Sequence, residues 1–256
     1  MTKHAVSNLF FGMALLGLLV LGRYSNVSWA WYLLLFFLYT IVIALGSYFI
    51  GLQFFTYSYC HGDRSKPQVA ISFDDGPQAA TSAILDTLHA NKAPATFFCI
   101  GRNIAGNEEI LKRIDRIGHL IGTHSYNHHW SFPLQKKEKI AAEISQCQAE
   151  IKSLIYKKPL LFRPPFGVTD PPLAAAIGLS GVSSIGWSVR SYDTVISSPD
   201  KLLERVSHIK NGDIILFHDA GLQTNVILPA FIKYVRAKGF EIVPLDQLLA
   251  LKAYEN

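Results

Sequence analysis

The chain has 256 residues, of which 50% are hydrophobic and 17% charged, and its formal net charge is +5. This length suits one large α/β domain with a small appendage. The short lysine clusters at 136–139 and 157–158 are typical of solvated helix ends, so we expect no nucleic-acid partner. Three cysteines without CxxC spacing argue against a disulfide framework or a structural zinc finger.

Apolar residues are concentrated at the start of the chain. The run at 29–55 has almost no charge and exceeds the ~20 apolar residues that cross a bilayer. Trp29, Trp31 and Tyr57 are residue types that favour the two membrane interfaces. This segment therefore predicts a transmembrane helix.

The earlier apolar run at 5–22 is shorter and includes Ser7 and Asn8. A signal-peptide core, a short span and a half-inserted helix are alternatives for it. A helical hairpin is the preferred interpretation. It predicts a membrane anchor over 1–60 that contacts lipid, followed by a second domain over 61–256 in an integral cell-membrane protein.

The charge pattern gives a weak indication of the side of the membrane on which the second domain lies. Basic residues lie at both ends of the predicted hairpin, at Lys3, Arg23, Arg64 and Lys66. Positive charge accumulates on cytoplasmic loops, so this pattern leans toward a cytoplasmic location for both ends and for the second domain.

After residue 61, short β-branched or aromatic runs alternate with amphipathic helical patterns. Strands that alternate with helices predict an α/β fold with a parallel sheet, and seven strands fit a closed or nearly closed barrel. The predicted strands cover 69–73, 95–100, 120–123, 160–163, 181–188, 213–218 and 241–244. The predicted helices cover 80–92, 108–117, 136–155, 200–209 and 226–238.

Two adjacent carboxylates, Asp74 and Asp75, directly follow the first predicted strand in the segment ISFDDGP. Neighbouring carboxylates near a low-dielectric core raise each other's pKa unless a cation or hydrogen-bond donors offset the repulsion. An acidic turn that caps a helix is the alternative. The pair predicts a positive group at this strand end.

The segment HSYNHH places His124 and His128 four residues apart after another strand. If the segment turns helically, both imidazoles share one face and His129 points away. Two imidazoles and one carboxylate would leave a position open for water, which is the usual arrangement of catalytic zinc. A surface turn with unrelated histidines is the alternative.

Polar residues recur at the carboxyl ends of the predicted strands. Asp74 and Asp75, His124, Arg163 and His218 all occupy such positions. Barrel enzymes build their active sites at this end of the barrel, so we expect these side chains to meet there.

These segments resemble the polysaccharide deacetylases with a NodB-homology domain, carbohydrate esterase family four, over roughly residues 67–249. The segment SFDD resembles the family's TFDD motif, HSYNH matches H-[ST]-x-x-H, RPPFG resembles the RxPxY-type motif with Phe for Tyr, and LFH matches LxH. The fourth motif, DxxDW, is half present in RSYDT. It keeps the second aspartate as Asp193 but has Arg190 and Thr194 in place of the first aspartate and the tryptophan.

The resemblance implies a distorted barrel of about seven parallel strands and metal-dependent hydrolysis of N-acetyl groups on amino sugars. By the same resemblance, Asp75, His124 and His128 would hold a divalent metal ion. Zinc fits this set of two nitrogens and one oxygen, and cobalt or nickel would also fit.

The catalytic roles follow from the same resemblance. Asp74 would be the general base and Arg163 would orient it. His218 would be the general acid and Asp193 would orient it. A structural barrel-end arginine and a turn-capping aspartate are the alternatives for Arg163 and Asp193.

Three further residues are assigned to substrate binding. Leu216 would help form the pocket for the acetyl methyl group, and the Phe166 backbone N–H would stabilise the oxyanion. Trp187 is placed in the pocket wall, with simple core packing as its alternative.

The predicted partner is an N-acetylated glycan, with peptidoglycan, a chitin-like oligomer, an exopolysaccharide or a lipid-linked glycan as candidates. O-deacetylation and deformylation are alternatives because the same site would polarise ester and formamide carbonyls. The altered fourth motif leaves a third alternative, a membrane-bound carbohydrate-binding protein without turnover. The sequence does not indicate an oligomeric state.

Overall fold

The computed structural model, which describes residues 1–221 and 223–255, begins with two apolar helices. Helix α1 covers Lys3–Tyr24 and helix α2 covers Trp29–Tyr48. No residue of α1 is buried, and only Gly46 of α2 is buried, so most apolar side chains of both helices are exposed. Their length and composition suffice to cross a membrane, although a signal sequence shares these features.

Polar groups within the two helices bond across the hairpin. The Tyr39 hydroxyl donates to Oδ1 of Asn8 at 2.9 Å, and the Tyr32 hydroxyl donates to the Leu18 carbonyl at 2.9 Å. Asn8, one of the two polar residues in the first apolar run, is therefore paired within the hairpin.

Beyond the hairpin, strands and helices alternate. The strands are β1 Gln68–Asp74, β2 Thr96–Cys99, β3 Leu120–Thr123, β4 Lys158–Pro159, β5 Leu161–Phe162, β6 Ser183–Ser184, β7 Val189–Arg190, β8 Ile214–His218, β9 Glu241–Ile242 and β10 Tyr254–Glu255. The further helices are α3 Thr81–Ala90, α4 Glu108–Arg116, α5 Lys137–Ile155, α6 Pro171–Ser180, α7 Pro199–Ser207, α8 Thr224–Ala237 and α9 Leu245–Leu249.

The main sheet is parallel and curled. Its strand order is β6-β5-β3-β2-β1-β8-β7, and β9 also pairs with β1. The edge strands β6 and β7 are separated along the chain only by residues 185–188. Because an extended residue spans at most about 3.6 Å, the two edges must approach each other. The predicted distorted barrel of about seven parallel strands is confirmed.

The prediction of one strand over 181–188 is wrong. Ile185 N–H donates to the Phe162 carbonyl at one sheet edge, and Ser188 N–H donates to the Ile214 carbonyl at the other edge. The segment is extended, as its composition indicates, but it crosses the opening of the barrel instead of following one neighbour.

Helix α6 is absent from the sequence prediction. Its residues are nearly all apolar or small, so they lack the alternation of polar and apolar faces that indicates a surface helix. Its start has local cues, since Asp170 caps the Leu173 N–H at 2.7 Å and proline follows Asp170.

Alternate residues of β1 face two different cores. Ile71 and Phe73 pack against the surrounding helices, whereas Ala70 belongs to the cluster inside the barrel. Because side chains alternate along a strand, Ser72 and Asp74 also face the barrel interior. The first carboxylate of the acidic pair therefore enters the barrel from its central strand.

Residues 50–60 contact the barrel after the hairpin ends. Phe54, Phe55 and Cys60 are buried, and Tyr59 N–H donates to the Ser184 carbonyl at 2.9 Å. The domain boundary at residue 60 stays a prediction.

Candidate active site

The carboxyl ends of the central strands bring the predicted residues together. In the β1–β8 register, Asp74 lies directly beside His218. His124 and Arg163 directly follow β3 and β5, whose ends pair with each other. The expected meeting of these four side chains at one end of the barrel is present in the structure.

Asp75, His124 and His128 form a group that could hold a metal ion. Their ligand atoms all lie within 4.8 Å of one another. Oδ1 of Asp75 is 3.6 Å from Nε2 of His124 and 3.6 Å from Nε2 of His128. Ligands bound at about 2.0–2.1 Å in a tetrahedron lie about 3.4 Å apart, so these residues fit zinc without large rearrangement.

His124 is oriented as a neutral ligand. Its Nδ1 lies 2.8 Å from the Arg163 carbonyl, to which it donates, so the lone pair is on Nε2 toward Asp75. Burial lowers the pKa of His124 to about 3, with the neighbouring His128 acting in the same direction. A neutral imidazole with a fixed tautomer is the form that binds a cation.

Residues 124–128 do not form a helical turn, although both histidines reach Asp75. The segment is an irregular loop in which Ser125 and His128 have left-handed backbone angles, with φ of 63° and 46°. The Ser125 hydroxyl accepts the His128 N–H at 3.0 Å and closes the loop. His129 lies outside the group and contacts Ser131.

A buried glutamate on α5 holds this loop. Glu143 accepts the Tyr126 N–H at 3.0 Å, the Asn127 N–H at 2.7 Å and the Asn127 side-chain amide at 2.7 Å. Sequence reasoning missed this residue. The only indication was a carboxylate on the buried face of a helix, beside Ile140 and Ile144.

Asp74 is held by the cation that the acidic pair predicts. Nη1 of Arg163 donates to Oδ1 of Asp74 at 2.7 Å and to the Ser72 hydroxyl at 2.9 Å, and Nη2 donates to the Gly186 carbonyl at 2.9 Å. Arg163 is 0% exposed and Asp74 is 3% exposed. Oδ2 of Asp74 remains on the side of the metal group, 3.8 Å from Nε2 of His124.

His218, at the end of β8, is paired with Asp193. Oδ1 of Asp193 lies 2.7 Å from Nδ1 of His218 and also accepts the Ser191 hydroxyl, while Oδ2 accepts the His218 N–H and the Thr224 hydroxyl. Burial opposes a charge on His218, but Asp193, together with the nearby Asp74, outweighs it and raises the His218 pKa. Nε2 of His218 is thus left for proton transfer.

These side chains surround a pocket of about 160 Å³. The predicted substrate-binding residues Phe166, Trp187 and Leu216 all line it. Arg163 and Asp193 are fully buried and act on the pocket through Asp74 and His218. The other lining residues are Asp74, Asp75, His124, His128, Gly167, Arg190, Thr194 and His218.

Comparison with known proteins identifies the family. A family model described as polysaccharide deacetylase matches residues 61–183. A peptidoglycan-N-acetylglucosamine deacetylase of Bacillus cereus is 32% identical over 191 residues, which cover 72% of this chain and 89% of that protein. This chain belongs to the polysaccharide deacetylase family. The resemblance seen in the motifs is therefore confirmed.

This chain corresponds to only part of some longer relatives. Peptidoglycan-N-acetylglucosamine deacetylase PgdA of Listeria monocytogenes is 29% identical over 74% of this chain, and the match spans 40% of that longer protein.

Solved structures of family members share the fold. The Bc1960 peptidoglycan N-acetylglucosamine deacetylase superposes with a TM-score of 0.71 at 28% identity, over 78% of this chain and 96% of that one. A mutant of a family pseudoenzyme with restored enzymatic activity superposes with a TM-score of 0.70 at 26% identity, over 75% of this chain and 71% of that one. Because the family includes a pseudoenzyme, activity has to be argued from the site itself.

Proposed function

We propose that this protein is a metal-dependent deacetylase that removes N-acetyl groups from amino sugars of a glycan. The observation that supports this proposal is that the two adjacent aspartates contact different groups. Asp75 belongs to the metal group with His124 and His128, whereas Asp74 is bound by Arg163 beside that group. This arrangement explains why two like charges lie together at the end of a buried strand.

A divalent ion at this group, zinc by its ligand chemistry, would polarise the amide carbonyl and lower the pKa of water. Asp74 acts as the general base through Oδ2, the oxygen on the side of the metal group. Arg163 fixes the other oxygen and stabilises the ionised carboxylate. Asp74 therefore accepts a proton from the attacking water without losing its orientation.

His218 acts as the general acid for the departing amine. Its raised pKa keeps the ring protonated nearer to neutral pH, and Asp193 fixes Nδ1 so that Nε2 delivers the proton. The Phe166 backbone N–H is assigned to the oxyanion. Leu216 and Trp187 provide the apolar wall against which the acetyl methyl group packs.

Acetate release tests the proposal. The full chain in detergent is stripped of metal, re-supplied with zinc, cobalt or nickel, and given N-acetylglucosamine oligomers and peptidoglycan fragments. We expect metal-dependent acetate release that Asp74→Asn abolishes while metal binding persists. Paired N-acetyl, O-acetyl and N-formyl substrates distinguish deacetylation of amides from the ester and formamide alternatives. Retained metal and glycan binding without acetate release would instead support a carbohydrate-binding protein.

We further propose that the hairpin anchors the protein in the membrane. Thr169 N–H donates to the Ser47 carbonyl at 3.0 Å, and the Ser47 hydroxyl donates to the Thr169 carbonyl at 2.7 Å. At the same end of the hairpin, Nζ of Lys3 donates to the Leu52 carbonyl at 2.8 Å. Removal of α1 as a signal peptide would lose the Lys3 contact, which favours a retained hairpin.

The hairpin also sets where the pocket lies relative to the membrane. Thr169 is two residues beyond Gly167, which lines the pocket, so the end of α2 lies within about 10 Å of the pocket wall. This placement favours a lipid-linked or wall-adjacent glycan over a freely soluble one. Equal turnover of a membrane-bound and a soluble substrate, in liposomes and in detergent alike, would contradict this preference.

A further inference from the structure

Arg190 stands where the resemblance to the family's fourth motif leads one to expect an aspartate, and it lines the pocket. Its guanidinium carbon lies 5.6 Å from the centre of the Trp187 ring and 5.0 Å from the centre of the Tyr192 ring. Cation–π contacts of this kind stabilise an arginine in one orientation. The positive charge is thus held at the pocket by two aromatic rings.

Arg190 forms no salt bridge within the described part of the chain. The arginines that form salt bridges there are Arg64, Arg113 and Arg163, and Arg190 is not among them. Nε of Arg190 is buried and has no hydrogen-bond partner among the described residues. A guanidinium stays charged in proteins, and a buried donor without a partner costs free energy. A bound ligand that accepts hydrogen bonds from Arg190 would therefore be stabilised.

Arg163 and Arg190 both lie close to this pocket, but they differ in burial and in hydrogen bonding. Arg163 is fully buried, and its donors are used by Asp74, Ser72 and backbone carbonyls. Arg190 instead faces the pocket beside Thr194, whose side chain is smaller than the tryptophan of the family's motif. The altered fourth motif therefore exchanges a negative charge and a bulky ring for a positive charge and space.

We propose that Arg190 forms an anion-binding subsite beside the acetamido pocket, and that the preferred substrate carries a carboxylate or phosphate on or next to the N-acetylated sugar. The planar guanidinium fork matches both groups because each can accept two parallel hydrogen bonds. The inference rests on the proposed function for its substrate class. It makes Arg190 a specificity-determining residue, while the acid and base remain His218 and Asp74.

The pocket volume agrees with a neighbouring subsite. About 160 Å³ is small against the 300–1,000 Å³ of typical ligand pockets, so it suits one acetamido group and not a whole oligosaccharide. Charged groups of the substrate then lie at the pocket rim. Arg190, at the end of β7, is placed to meet them.

Matched glycans test the subsite on the full chain with its metal. The probes are a neutral N-acetylglucosamine tetramer, a tetramer that alternates N-acetylglucosamine with N-acetylmuramic acid, the methyl ester of the latter, and an N-acetylglucosamine tetramer with a terminal phosphate. We expect kcat/KM for one of the two anionic tetramers to exceed that for its uncharged counterpart by about 10-fold or more, through KM. The preferred anion identifies its source as carboxylate or phosphate.

Variants assign that preference to one side chain. Arg190→Gln is expected to abolish the ratio between anionic and neutral substrates, and Arg190→Lys to retain part of it because the charge remains without the fork. Arg116→Gln is the control for removal of one positive charge, since Arg116 is exposed on α4 and does not line the pocket. Equal melting temperatures of the variants exclude misfolding.

Two results would overturn the subsite: a wild-type protein without preference for either anion, or an Arg190→Gln variant that retains the ratio, as Arg116→Gln is expected to do. Binding of the anionic tetramers to the metal-free protein, measured by calorimetry, separates this question from catalysis. Loss of affinity in Arg190→Gln supports the subsite even when no substrate releases acetate, which is the outcome that refutes the proposed function alone.

Discussion

Glu143 provides the sharpest test of how the fold builds the metal group. The change Glu143→Ala leaves the N–H groups of Tyr126 and Asn127 and the Asn127 amide without their acceptor, at a site where Glu143 is only 5% exposed. Asn127 is exposed, so its side-chain amide can turn to water. The two backbone N–H groups cost about 1 kcal/mol or more each when left unsatisfied, so the loss is about 2 kcal/mol or more. For a domain of this size, this corresponds to a decrease in Tm of about 4–8 °C.

The same change should weaken metal binding, because the loop that Glu143 holds carries His128. Loss of outer contacts of this kind typically costs about 10- to 100-fold in metal affinity. Thermal melting of the metal-free protein measures the first effect, and competition with a chromophoric chelator for zinc measures the second. Gln146→Ala, at an exposed position of the same helix, is the control for nonspecific effects on α5.

Glu143→Gln separates shape from charge. The Gln carbonyl still accepts both backbone N–H groups, and the Asn127 side chain can rotate its amide to present Oδ1 to the new NH₂ group. Only the charge assistance of the hydrogen bonds is lost, so we expect a small decrease in Tm and near-normal zinc affinity. If Glu143→Ala melts and binds zinc like the parent protein, the loop does not depend on this carboxylate and the reasoning is refuted.

Three further predictions concern the base, the acid and the anchor. Arg163→Lys cannot reproduce the planar guanidinium, whose Nη1 binds Asp74 and Ser72 and whose Nη2 binds the Gly186 carbonyl, and Arg163→Met leaves the buried carboxylate of Asp74 unpaired. Denaturant titration should therefore show a loss of about 3–5 kcal/mol in the free energy of unfolding for Met and a smaller loss for Lys; a stable Met variant would contradict the ion pair. Asp193→Asn removes the group that raises the His218 pKa, so the acid is deprotonated at lower pH and the alkaline limb of the kcat/KM profile should move to lower pH; an unmoved limb would exclude His218 as the acid. The hairpin in 1–60 should resist extraction by alkaline carbonate, and a reporter fused to the C-terminus should indicate the cytoplasmic side; release into the soluble fraction would refute the anchor.

The sequence predicted the parts of the site that follow from strands. β1 and β8 are largely apolar, as expected for parallel strands buried on both faces, and each ends in a polar residue, Asp74 or His218. Because parallel strands end at one edge of a sheet, the meeting of these residues required only the strand assignment. The same argument correctly predicted that His124 and Arg163 lie near Asp74 and His218.

The parts that were missed depend on contacts between distant segments. A helical turn would have placed His124 and His128 on one face, but Glu143, which is many residues away, accepts the N–H groups of an irregular loop instead. Local patterns carry no information about such a partner. Arg190 was visible as a change in the fourth motif, but its aromatic contacts and its place in the pocket wall required the three-dimensional structure.

Unfavourable backbone angles at the site explain why its geometry could not be predicted from local sequence patterns. Asp75, His128 and Phe166 have left-handed backbone angles, with φ of 76°, 46° and 61°, although none is glycine. Each such residue costs about 1 kcal/mol or more and persists only where its surroundings determine it. The Asn103 amide donates to the Asp75 carbonyl at 2.8 Å, and Glu143 fixes the loop before His128. The side chains that do the proposed chemistry are therefore oriented by residues that have no part in it, and those residues are where substitutions should impair metal binding without touching a ligand.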